Sequence, residues 1–313
     1  MLPQFKQDFW MLSREAKGYY AWADKERWRL HRAIRRKSRR CGMCDDIEDS
    51  RQLVDLLLEE GLGLHPLLDI AFEAFARAEV RLALRFIPQR SNEERLTGHL
   101  ISELEAAIHM VTESFSAKSL ERYGEMKQID FAYYDLSQGG HIEKETGGDL
   151  GLILSVDLPD RPKLVSYAAI QAKRLSGSTS LDKRQYDTLT RNFEEGAAYL
   201  FYDCDFSTLA PPMIFSASAL ASRRNAKDET ASFATDQSHV FHEALPLSLW
   251  LVTQLGTGKS GATTHEFSDA FRVFCQHEHR NNEMQQITRL AMISIGRPFS
   301  ISRDIEAGLR ITL

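Results

Sequence analysis

Apolar positions recur at helical spacing through the first third of the chain and at strand spacing through the middle. Residues 9–40 carry aromatics and strong helix formers. Over residues 49–60, Leu53, Leu56 and Leu57 fall on one helical face, and Gly61 and Gly63 end that run. Pro66 opens a further helix through Ile70, Phe72, Phe75, Ala76 and Val80. Residues 87–92 are polar and break the pattern. Asn92 is an N-cap type, and Leu96, Leu100, Ile101, Leu104, Ala107 and Ile108 form the stripe of a helix reaching about residue 118.

The period then shortens. A strand is predicted over residues 129–136, followed by the glycine pair Gly139 and Gly140. Leu150, Leu152, Leu154 and Val156 alternate with smaller or polar positions. Asp157, Pro159, Asp160 and Pro162 supply turn chemistry, and residues 164–170 form a second strand, so residues 147–174 read as a hairpin. A helix over 181–195 and strands over 199–202 and 213–216 follow. The order helix, three strands, helix, strand, strand predicts a mixed α/β core, a sheet flanked by helices. Residues 222–236 read as a loop, 245–255 and 267–275 as helices, and 290–295 as either helix or strand. Three regions result: a helical N-terminal region at 1–90, a core at 91–217 and an α-rich C-terminal extension at 218–313, packed on that core.

The hairpin brings chemistry together. Asp149 opens its first strand, and Gln171 and Lys173 close the second. Two residues apart, Gln171 and Lys173 share a face. A hairpin returns its ends to one place, so Asp149 becomes their neighbour. An acid, an amide and a lysine at one sheet edge can hold a divalent cation against a phosphate. The bland alternative is a surface hairpin with ordinary polar ends. Against it, polar groups beside the apolar run at 167–170 are costly to bury unless paired or used. On the preceding helix, at about 100° per residue, the apolar stripe points at Glu93, with Thr97 one turn on. Glu94 lies off that direction. The competing role for Glu93 is to complement the helix dipole.

Composition narrows the classes. A net charge of −5 argues against a protein that coats nucleic acid indiscriminately, yet leaves room for a local basic patch. Residues 25–40, KERWRLHRAIRRKSRR, form such a patch, and Arg35, Arg36, Arg39 and Arg40 are its candidate phosphate contacts. A solvated helix face is the alternative. No apolar run reaches about 18 residues, the N-terminus lacks the order of a secretory signal, and four Cys supply no disulfide framework. A cytoplasmic protein is therefore expected. Cys41 and Cys44 lack a second closely spaced Cys pair for zinc. Residues 256–260, GTGKS, imitate the end of a P-loop, but Thr253 stands where its first Gly is needed. No nucleophile elbow is present.

Glu93-x-x-Leu96-Thr97 on a helix, Gly147-Gly148-Asp149-Leu150 at a strand start and Ile170-Gln171-Ala172-Lys173-Arg174 at a strand end resemble the PD-(D/E)xK nuclease superfamily. With Gln171 in place of the usual acid, the pattern is most similar to the Mrr-type restriction endonucleases. The likeness spans about residues 92–203. It implies a restriction-endonuclease-like core and a Mg²⁺- or Mn²⁺-dependent endonuclease, acting on DNA in the first instance, with a role in antiviral defence. By that resemblance Asp149 is the main metal-ligating carboxylate. Gln171 offers a weaker, neutral oxygen, the backbone carbonyl of Ala172 completes the site, and Glu93 supplies a second carboxylate. Lys173 holds the attacking water or stabilises charge on the phosphate. Gln185 on the following helix hydrogen-bonds the site or the nucleic acid, and Lys183, Arg184 and Arg191 on that helix reach phosphates. The competing reading is a nuclease-like fold kept as a nucleic-acid- or protein-binding module. It predicts splayed side chains, with Lys173 paired elsewhere. A partner protein or a second copy of the chain is compatible with either.

Overall fold

The computed structural model describes residues 3–15, 17–25, 51–52, 54–55, 58, 61–62, 64–89, 91–123, 128–135, 148–205, 209–223, 232–275, 277–278, 284–285 and 289–298. Arg35, Arg36, Arg39, Arg40, Cys41 and Cys44 lie outside them.

Helix α1 (Pro3–Glu15) is followed by further helix at residues 17–25. Helix α2 (Pro66–Arg85) starts where Pro66 predicts, with the His65 imidazole Nδ1 accepting from the Leu67 N–H at 3.2 Å. Helix α3 (Glu93–Tyr123) is capped as expected: Asn92 Oδ1 accepts from the Arg95 N–H at 3.0 Å. These helices bury their apolar faces together against one side of the sheet, sharing a core that includes Phe9, Leu68, Phe75, Leu96 and Leu104. Helices on both sides of the expected boundary near residue 90 thus belong to one apolar layer.

The sheet is built from β1 (Gln128–Asp135), β2 (Leu150–Asp157), β3 (Leu164–Leu175), β5 (Ala197–Asp203), β6 (Met213–Ser216), β8 (Leu245–Pro246), β9 (Ala262–Thr264) and β12 (Arg289–Gly296). Its order is β1-β12-β2-β3-β5-β6-β8, with β9 beside the start of β3. The pairs β12/β2 and β3/β5 are parallel and the rest antiparallel, so the sheet is mixed. Smaller pairs join β4 (Ser178–Leu181) to β7 (Phe233–Asp236) and β10 (His277–Glu278) to β11 (Met284–Gln285).

Helices α4 (Lys183–Phe193), α5 (Gln237–Glu243) and α7 (Phe267–Cys275) cover the other sheet face. Helix α6 (Leu247–Thr253) packs on the α2 side. Covered on both faces, β2 is buried at seven successive positions, Leu150 to Val156. The alternation read in its sequence marks which helical layer each residue meets, and neither face is wet.

Two expectations change. The C-terminal third is threaded through the core instead of being packed on it: β12 lies between β1 and β2. It is apolar on both faces, which is why its period alone is ambiguous. At its end Gly296 takes φ 101°, where a Cβ would collide with the Asp157 carbonyl. The expected loop over 222–236 ends in β7, and α5 follows it. Among the described residues no helix is long and apolar enough to cross a membrane.

Candidate active site

Strand β3 outruns its neighbour. Its first half pairs with β2 as far as Ile170, and its second half pairs with β5. Beyond Ile170 the described strands leave the β2 side of β3 open. Backbone N–H groups on an open, partly buried edge need acceptors. Two carboxylates provide them. Asp149 Oδ2 accepts from the Ala172 N–H at 2.8 Å, and Glu93 Oε1 accepts from the Arg174 N–H at 2.9 Å. Asp149 also donates its own N–H to the Ile170 carbonyl at 2.9 Å, continuing the ladder by one step.

The strand period then sets the side chains. Extending the register of β2 and β3 by one residue places Asp149 beside Gln171, and Lys173 lies two residues on, toward α4. Gln171 is 1% exposed, and its Nε2 donates to Asp149 Oδ2 at 2.6 Å and to the Ala172 carbonyl at 3.2 Å. Its Oε1 is buried and has no partner. Lys173 is half-buried, and its Nζ donates to Gln185 Oε1 on α4 at 2.9 Å. Gln185 is presented there because Asp182 Oδ1 caps α4 through the Gln185 N–H at 2.9 Å. The lysine is therefore held by a neutral amide, and among the described residues it forms no ion pair.

Glu93 arrives from the other face of the sheet, on the first turn of α3. One turn on, Thr97 is fully buried, and its hydroxyl lies 3.1 Å from that of Tyr202 on β5. Burial pushes the Tyr202 phenol well above its ordinary range, partly offset by the Thr97 bond. Glu94 points elsewhere, its side chain 74% exposed and paired with Arg289 at 2.9 Å. The structure thus brings Glu93, Asp149, Gln171, the Ala172 carbonyl, Lys173 and Gln185 to one stretch of β3. Tyr202 and Arg289 escaped sequence reasoning. Tyr202 carries a signal only once β5 is registered against Arg174, and Arg289 belongs to a strand whose place in the sheet was not legible.

The other cations on α4 divide. Lys183 is turned to Asp187 at 3.0 Å, whereas Arg184 and Arg191 are exposed. In the P-loop imitation, the Gly258 N–H is bonded to the Leu255 carbonyl at 3.1 Å and the Lys259 N–H to the Gln254 carbonyl at 2.9 Å. Amides spent inside a turn do not cradle a phosphate.

Among the described residues no three His, Cys, Asp or Glu side chains converge as a ready cage. The donors at β3 are of another kind. An amide turned through 180° exchanges its oxygen and nitrogen. Turned so, Gln171 would bring its unpartnered Oε1 beside Asp149 and the Ala172 carbonyl. Three oxygens there match the taste of Mg²⁺ or Mn²⁺, which accept few protein ligands. The residues fit a divalent cation.

No family model, curated protein or solved structure matches the chain. The functional reading rests on its own residues and their geometry.

Proposed function

We propose that the chain is a metal-dependent nuclease with a restriction-endonuclease-like core, hydrolysing phosphodiester bonds of nucleic acid. DNA in a prokaryotic cytoplasm, in a defence setting, is the context the motif pattern favours. The observation that carries the reading is the open edge of β3. An acid immediately before β2 meets an orphaned amide oxygen, a backbone carbonyl and an amide-held ammonium on β3 there. When bound, the cation supplies charge neutralisation and a more acidic water. The chain supplies the rest. Asp149, Gln171 and the Ala172 carbonyl hold the cation, with Glu93 at the same edge as a second anionic oxygen. Lys173, steadied by Gln185, places its charge on the phosphate oxygens as water adds to phosphorus and the P–O bond to the leaving oxygen breaks.

The second reading, a binding module, is favoured by one fact: Asp149 and Glu93 already serve as caps for the β3 edge. The two separate in a digestion assay on plasmid and oligonucleotides with Mg²⁺, Mn²⁺ or EDTA. The nuclease cuts with metal and not with EDTA. Lys173→Ala should abolish cutting while cation binding, followed by calorimetry, persists. Asp149→Ala should lose both. A Lys173→Ala protein that cuts like wild type would sink the nuclease reading.

A further inference from the structure

A groove of about 940 Å³ lies along the first half of α3, lined also by residues of β1 and β12. Its lining includes Asn92 and Glu94, the residues on either side of Glu93 in the chain. Three features make it more than a gap between elements. Its floor is bare at Gly98, where an added Cβ would meet nothing within 4 Å. One turn of aromatic surface is pre-set. His99 stacks flat on Phe86, centroids 4.0 Å apart and planes 18° apart, and Tyr133 lines the same groove. Of its two cations Arg95 is exposed, whereas Arg289 is withdrawn and guarded: its side chain is 16% exposed, Nη2 donates to Glu94 Oε1 at 2.9 Å and Nη1 to the Glu94 carbonyl at 3.4 Å.

That ion pair is lopsided. The Glu94 side chain is 74% exposed, so water already stabilises its carboxylate, and such pairs contribute little. The guanidinium is mostly shielded and gains from a better anion. A phosphate, with two oxygens for its planar fork, is that anion. A nucleobase has a face to lay on a fixed ring, but only when it is out of a duplex, where its faces are covered. We propose that this groove binds an unpaired nucleotide of the strand that the β3 edge acts on. Its base rests on His99, its phosphate meets Arg289, and Glu94 is the anion that the phosphate displaces. The identity of the ligand as part of a nucleic-acid strand rests on the nuclease reading above.

The test is binding of fluorescently labelled oligonucleotides to the full chain by anisotropy in EDTA, where no cutting competes. DNA and RNA single strands and the corresponding duplexes are compared. Single strands should bind more tightly than duplexes of the same sequence, and the DNA and RNA arms show which strand is preferred. His99→Ala should weaken single-strand binding roughly tenfold, and Arg289→Gln by about as much. Glu94→Gln, an exposed change that leaves folding alone, should tighten it about threefold by releasing Arg289. Thermal midpoints confirm that each variant is folded. Duplex bound as tightly as single strand, Arg289→Gln binding like wild type, or Glu94→Gln weakening binding would each overturn the groove. If the groove variants bind like wild type while Lys173→Ala loses cutting, the groove fails and the nuclease stands. If binding depends on the groove but no cutting occurs with Mg²⁺ or Mn²⁺, the groove stands and the nuclease fails.

Discussion

Gln171 is the residue on which the site turns. Its Nε2 sits between two oxygens, Asp149 Oδ2 and the Ala172 carbonyl, in the place a cation would take, while its own oxygen is buried without a partner. A buried unsatisfied oxygen costs on the order of 1–3 kcal/mol, so the site has something to gain from turning the amide over. Gln171→Glu removes that option. It sets a second carboxylate against Asp149, 2.6 Å from where Nε2 now donates, and like charges at that range hold one proton between them. We expect the variant to melt below wild type without metal and to gain more than wild type on adding Mn²⁺, with cation affinity increased. Equal gains in melting temperature for the two proteins would show that position 171 does not face the cation.

At the scale of elements, the first turn of α3 decides which acid reaches β3. Asn92 sets where the helix begins, and Glu93 then reaches the Arg174 N–H while Glu94 points to Arg289. Asn92→Ala removes the cap and should cost about 1 kcal/mol of stability, read as a lower urea midpoint with unchanged slope. Because the cap and Glu93 share one turn, cleavage should fall with it. Glu93→Gln should depress cleavage more than Glu94→Gln. The reverse order would move the functional carboxylate by one residue and leave the rest of the scheme standing. Strand β3 acts twice in a comparable way. Its length past β2 creates the open edge, and its pairing with β5 holds the opposite side of that same segment.

For the whole molecule, Glu79 marks how the N-terminal helices and the C-terminal third hold each other. It is fully buried, accepting from Tyr19 Oη at 2.9 Å, from the Ser248 N–H at 2.6 Å and from Ser248 Oγ at 2.6 Å. Burial pushes it up from 4.5 to about 8, opposed by these bonds and by one from the Leu247 backbone. A folded-state value above the unfolded one means that the folded chain binds the proton more tightly. Its contribution is full below the unfolded value of 4.5 and is lost as pH rises through about 8. The loss across that window is on the order of 3–5 kcal/mol. Glu79→Gln carries no titrating group, so its melting temperature should fall less than wild type's between about pH 5 and pH 8. Parallel curves for the two proteins would remove Glu79 from the pH response.

Helix α2, helix α3 with its cap, the β2–β3 hairpin and α4 were legible in the sequence because local periodicity, capping residues and turn residues all act within a few positions. The same local rules placed Gln171 and Lys173 on one face and brought Asp149 to them, since a hairpin's ends meet whatever surrounds it. What the sequence did not show depends on contacts distant along the chain. Strand β12 sits inside the sheet, pairing with residues more than a hundred positions earlier, and a run buried on both faces has no period to reveal it. That insertion brings Arg289 beside Glu94 and forms one wall of the groove. The open edge of β3, the use of two carboxylates to cap it, and the orphaned oxygen of Gln171 were likewise settled only by tertiary structure. Which backbone groups lack a partner is fixed by where neighbouring strands stop, and no stretch of sequence records that locally.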